Sequence, residues 1–148
     1  MSDEGEACSL PTRGQGAEAE IVRRLLKAKR IAVVGLSDDP SRPSYDVARS
    51  LKSAGKEIIP VNPTHDTVMG LKCYPTLSDV PGEIDLVNVF RRPEYCADVV
   101  REAVERGAKG VWLQSGIRSP EARAIATRAG VDYVEDRCLK VELMFAGG

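Results

Sequence analysis

The stretch IAVVGLSDDPSRPSYDVARSL, residues 31–51, passes from an apolar run through one glycine and a polar loop into a helical pattern. Ile31 to Val34 is rich in β-branched residues and too apolar to alternate, which predicts a strand buried on both faces. Gly35 permits a sharp turn and close approach of the backbone to a ligand. Tyr45 to Ala54 has helical spacing, with Val47, Ala48 and Leu51 directed inward and Gly55 as its stop. A buried strand, a glycine turn and a helix in direct succession form the first half of a β-α-β unit.

The same alternation extends in both directions. Upstream, Ala17 to Lys29 places Ile21, Leu25 and Ala28 on one helical face, with Val22 and Leu26 beside it. Downstream, EIIPVNP is a second strand closed by Pro63. Asp66 to Leu77 reads as loop with one short extended piece. IDLVNVF, residues 84–90, is a third strand, followed by a helix with Pro93 at its first position and Gly107 at its end. Gly110 to Gln114 is a fourth strand. Ser119-Pro120-Glu121 opens a helix that ends at Gly130. VDYVE is a fifth strand, and Cys138 to Phe145 forms a short closing turn or helix. Strands alternating with amphipathic helices predict a single α/β domain. It is Rossmann-like and doubly wound, with a mostly parallel five-stranded sheet and helices on both faces.

Composition limits the function classes. The chain has 148 residues, 43% of them hydrophobic and 29% charged, enough for one core without disulfides or metal. A net charge of −1 supports no broad nucleic-acid footprint and leaves room for a local anion pocket. Residues 1–16 are rich in Gly, Ser and charge, without the apolar run of a secretory signal or membrane span. They are expected to be a flexible tail before a domain at 17–148. A soluble, cytoplasmic protein that does not engage membranes is expected, and a monomer. Cys8, Cys73, Cys96 and Cys138 lack close zinc-type spacing, and His65 is the sole histidine, so reduced thiols and no metal site are expected.

In a doubly wound sheet the ligand sits outside the carboxyl ends of the strands, where strand order reverses. The residues following each strand are therefore the candidates. Gly35, Leu36 and Ser37, with Arg42 and Ser44 before the next helix, offer amides, hydroxyls and a cation to a phosphate. An ordinary strand-to-helix turn with a solvated arginine is equally compatible. A dinucleotide fingerprint requires Gly-x-Gly-x-x-Gly here and an acid at the second strand end. The chain instead carries Gly-Leu-Ser-Asp-Asp-Pro, and then Val61, Asn62 and Pro63. This counts against an NAD(P)-linked enzyme or redox sensor, which stays the alternative. Phe90, Arg91 and Arg92 can pair with phosphate and flank an adenine. Gln114 and Ser115 add amide and hydroxyl groups. Cys138 is open to two readings, a reactive thiol or a half-buried structural cysteine. Neither His65 nor Asp38, Asp39 and Asp136 forms a recognisable catalytic constellation.

VVGLSDDPSRPSY, IIPVNP, GLKCYPTLSDVPGEIDLVNVFRRPE, KGVWLQSGI and EDRCLKVE, taken in order, resemble the small stand-alone CoA-binding protein family. That family is similar to the CoA-binding domain of the succinyl-CoA synthetase α subunit. The resemblance spans about residues 28–142. It implies coenzyme A or an acyl-CoA as ligand, held across the carboxyl edge of the sheet. By the same resemblance the first loop meets phosphate, and Val61, Asn62 and Pro63 approach the nucleotide. The third and fourth strand ends complete the site. The synthetase also needs a phosphohistidine domain and a nucleotide-binding subunit, for which 148 residues leave no room. A non-catalytic carrier, sensor or regulatory module is therefore expected, with a protein partner possible.

Overall fold

The computed structural model describes residues 13–146. The expected tail falls outside the described residues as far as residue 12, and residues 13–16 already belong to the first helix. That helix, α1, spans Arg13–Leu25, starting and ending four residues before the expected 17–29. Beyond Leu25 the bonding tightens: the Lys27 and Ala28 amides donate to the Arg24 and Leu25 carbonyls, turning the chain into the sheet.

The first two strands of the sheet are β1 (Arg30–Val34) and β2 (Glu57–Val61), with helix α2 (Pro43–Ser53) between them. The crossover that follows has no α-helix. It contains a two-stranded antiparallel hairpin, β3 (Thr67–Val68) and β4 (Leu71–Lys72), and a 3₁₀ turn over Leu77–Asp79. One short extended piece was expected here; the structure has a pair. Buried Leu77, Val80 and Ile84 take the place of a helix against the sheet. Then come β5 (Leu86–Val89), α3 (Pro93–Glu105), β6 (Gly110–Leu113), α4 (Pro120–Ala129), β7 (Asp132–Val134) and α5 (Leu139–Ala146). Ser119 caps α4, its hydroxyl accepting from the Ala122 amide at 3.1 Å, and Gly130 ends it at φ 73°.

The five long strands form one sheet in the order β2-β1-β5-β6-β7, and every pairing is parallel. The Rossmann-like α/β fold read from the strand and helix pattern is thus present. Successive residues of each strand enter opposite cores, which explains the unbroken apolar runs. Ala32, Val87 and Val111 pack with Val100, Ala103 and Ala126 of α3 and α4. Ile31, Val33 and Trp112 pack with Leu25, Leu51 and Leu139 from α1, α2 and α5. Strand order reverses between β1 and β5, so the ends of these two strands open the crevice in which a ligand of this fold class sits.

Candidate functional site

At the carboxyl edge Gly35 adopts φ 85°, a conformation that penalises any side chain. A Cβ there would fall well inside contact distance of the Phe90 carbonyl oxygen and would crowd the Arg91 side chain. The end of β1 therefore lies directly against the end of β5. The loop that follows is fastened internally. The Ser37 amide donates to the Ser44 hydroxyl at 3.0 Å, and the Asp39 amide donates to the Ser37 hydroxyl at 3.0 Å. Asp39 accepts from the Ser41 amide and hydroxyl, which holds its carboxyl below the usual range. Asn62 ties the end of β2 to this loop, donating to the Leu36 carbonyl at 3.1 Å.

Beside this loop is a cleft of about 720 Å³. Phe90, Arg91 and Arg92 from the end of β5 and Gln114, Ser115 and Ile117 from the end of β6 form one side. Pro43, Asp46 and Val47 from the first turns of α2 face Cys138, Lys140 and Val141 at the start of α5. The walls thus carry three cations and one carboxylate among apolar groups. Arg91 lies over the Tyr95 ring at 4.8 Å. Arg92 makes a loose pair with Glu94 at 3.9 Å, both side chains well exposed. Both arginines thus retain donors for an incoming anion. The helices contribute as well. Arg42 and Arg92 occupy the N-cap positions of α2 and α3, and neither side chain caps its helix. Two helix N-termini without side-chain caps consequently begin at this edge, where the dipole favours negative charge.

A polar basin of about 620 Å³ adjoins the cleft and shares Ser115, Cys138 and Val141 with it. Its arginines are already paired, Arg118 with Asp136 at 2.7 Å and Arg123 with Glu135 at 3.3 Å. Arg137 is divided between Glu18 and Glu142 at 3.3 and 3.2 Å. Such a self-neutralised basin has little to offer an anion. The cleft, with its surplus of cations, is the electrostatically open site.

Of the residues singled out in the sequence, Phe90, Arg91, Arg92, Gln114, Ser115 and Cys138 come together on the walls of the cleft. Gly35, Leu36, Ser37, Val61, Asn62 and Pro63 at the β1 and β2 ends, and Arg42 and Ser44 at the start of α2, are not among its wall residues. Leu36 and Val61 bury their side chains, and Ser44 is buried as the brace of the loop. Gln114 is also buried, its carboxamide oxygen accepting from Asn88 and from the Leu139 amide, both at 3.4 Å, so that it anchors α5 to β6. Cys138 is half-buried, whereas Cys73 and Cys96 are buried. Burial raises the Cys73 thiol and pushes Cys96 up to about 11. His65 Nδ1 lies 2.8 Å from the Thr64 hydroxyl, whose own hydrogen is donated to Asn62 Oδ1 at 2.8 Å, so this contact does not place His65 as a base on that hydroxyl. Among the described residues there is no cluster of metal-ligating side chains, and no helix is long and apolar enough to cross a membrane.

Sequence reading missed Pro43, Asp46, Val47, Ile117, Lys140 and Val141. The three α2 residues are spaced as one helix face at its N-terminus, a signal that was available once the helix start was placed at Pro43. The contribution of α5 was not readable, because it depends on how the last helix returns over the sheet.

A family model described as CoA binding domain matches residues 29–144. This chain belongs to that CoA binding domain family. The family identified from the strand-end motifs is therefore the family found. YneT of Bacillus subtilis (strain 168) is 45% identical over 125 residues, covering 84% of this chain and 93% of that protein. The ADP-forming acetate–CoA ligase II of Archaeoglobus fulgidus is 32% identical over 122 residues. That match covers 81% of this chain and only 17% of the ligase, so the family occurs there as one part of a much longer protein. Among solved structures, a hypothetical protein from Pyrococcus horikoshii OT3 superposes with a TM-score of 0.84 at 36% identity. The superposition covers 88% of this chain and 92% of that one.

Proposed function

We propose that this chain binds coenzyme A, or an acyl-CoA, in the cleft at the carboxyl edge of its sheet and acts as a non-catalytic carrier, sensor or regulatory module. The observation that carries the reading is the cleft beside the strand-order reversal, between the β5 and β6 ends and helices α2 and α5, walled by three cations and one carboxylate and otherwise largely apolar. CoA combines a polyanionic head, an adenine and a long thin arm, and each part has a matching surface. Arg91 and Arg92, with the α2 and α3 N-termini behind them, suit the phosphates. Phe90, Val47, Ile117 and Val141 offer apolar surface to the arm or the base. CoA itself would supply the thiol. The chain's own groups bind and orient it.

The non-catalytic part rests on what the walls hold. Asp46 is already engaged by Lys140 and Arg49, which keeps its carboxyl below the usual range. No serine or cysteine of the cleft is hydrogen-bonded to a general base. A thermal-shift panel tests the class of ligand, because only a molecule preferring the folded state raises the melting temperature. CoA and acetyl-CoA are expected to raise it at millimolar concentration, with NADH and ATP giving smaller shifts. A larger shift with NADH would reassign the site to a dinucleotide.

A further inference from the structure

One cation of the cleft wall is held by a carboxylate of the opposite wall. Lys140 projects from the first turn of α5, and its ammonium lies 2.7 Å from Asp46 Oδ2 in the first turn of α2. The pair spans the cleft between two helices that both contribute to its walls. Asp46 is a shared carboxylate, since its other oxygen accepts from Arg49 at 3.1 Å. Withdrawing Lys140 would thus leave Asp46 still paired, and still at the positive end of α2. Both side chains are about a third or more exposed, at 32% and 42%, and ion pairs this exposed are weakly held. Lys140 is therefore a cation that can change partner at little cost.

We propose that Lys140 is an exchangeable ligand-binding cation: Asp46 holds it in the free protein, and it transfers to an anionic oxygen of the bound CoA thioester. The anion is a phosphate of CoA or a carboxylate on its acyl chain, chemistries that an ammonium serves equally. Asp46 is then a competitor of the ligand, the single carboxylate facing three cations in the cleft. This rests on the reading of the cleft as a CoA site. It makes a prediction of sign that a mere strut between helices does not share.

Calorimetric titration with CoA, pantetheine and succinyl-CoA tests it on the full chain and on two variants. Lys140→Met is expected to weaken CoA about tenfold, the loss of one charge-assisted contact. Asp46→Asn is expected to tighten CoA several-fold, even though removing an acid from the first turn of α2 lowers the melting temperature slightly. If the anion is a phosphate, both effects appear with CoA and vanish with pantetheine. If it is an acyl carboxylate, they appear only with succinyl-CoA. A strut would weaken binding in both variants or in neither, and either result overturns the proposal. If the unaltered protein fails to bind CoA, the reading of the cleft falls and takes this inference with it. Normal CoA binding by the unaltered protein, with both variants unchanged toward CoA and toward succinyl-CoA, refutes the inference alone.

Discussion

Arg91 is the residue on which recognition of a phosphate most depends, being half-buried in the cleft wall and paired with no carboxylate among the described residues. Arg91→Ala is expected to weaken CoA binding by about 1–3 kcal/mol, with little change in melting temperature. Arg106 resembles a suitable control in sequence, but in the fold its guanidinium donates to the Val80 and Gly82 carbonyls and holds the crossover loop. Arg128, exposed in the last turn of α4, is the better comparison. Equal losses at Arg91 and Arg128 would indicate diffuse electrostatics and no defined site. Gly35→Ala should fail on both counts. Positive φ costs a non-glycine residue about 1–2 kcal/mol, and the new methyl would press on the Phe90 carbonyl. Denaturant midpoints should fall and CoA affinity with them. Cys138 tests whether the cleft brings a protein thiol near the thiol of CoA. In a Cys8→Ser background, CoA disulfide is expected to label Cys138 ahead of buried Cys73 and Cys96, by thiolate attack that releases one CoA thiolate. Mass spectrometry showing uniform labelling, or none, would count against an accessible Cys138 at the site.

At the scale of elements, sequence and structure agree where local chemistry decides. The Ser119-Pro120 start of α4 is such a case, and Ser119→Ala is expected to cost about 1 kcal/mol of stability. CoA affinity should not change, because Ser119 does not wall the cleft. A clear loss of affinity without loss of stability would contradict that assignment. Strand existence was legible from apolar runs such as Ile31–Val34, since burial on both faces leaves no polar alternation. Boundaries were less so. Phe90 and Gln114 read as strand residues but lie just past the ends of β5 and β6, where the chain turns to form the cleft. The site was legible at the strand ends for a similar reason: Arg91 and Arg92 follow a strand directly. Lys140 and Asp46 were not, because their proximity is created by α2 and α5 packing on one face of the sheet, a long-range event with no local signal.

For the whole molecule, several carboxylates bind the elements together and are held below their ordinary range. The Asp85 carboxylate accepts from the Arg30 and Lys29 amides at 2.9 and 3.2 Å and so pins the start of β1 to β5. Glu135 is lowered by the Ser119 amide, Tyr133 and Arg123 against the opposing effect of burial. A depressed carboxylate contributes stability that is present above its unfolded-state pKa and lost as pH falls through the folded one. Urea midpoints are therefore expected to stay level from pH 7 to about 5 and to fall below about pH 4. Asp85→Asn should flatten that fall; an unchanged acid limb would remove Asp85 from the explanation. The central claim is that CoA is held at the carboxyl edge, between the ends of β1, β5 and β6. An amide-resolved NMR titration of the isotopically labelled chain with CoA addresses both the binding and its place. Up to about 1 mM CoA, where binding is already weak, the largest shifts should fall on Gly35, Arg91, Arg92 and Ser115, with Cys138 and Lys140 following. Shifts confined to the opposite edge, around Lys29, Asp85 and Lys109, or no shifts at all, would contradict it.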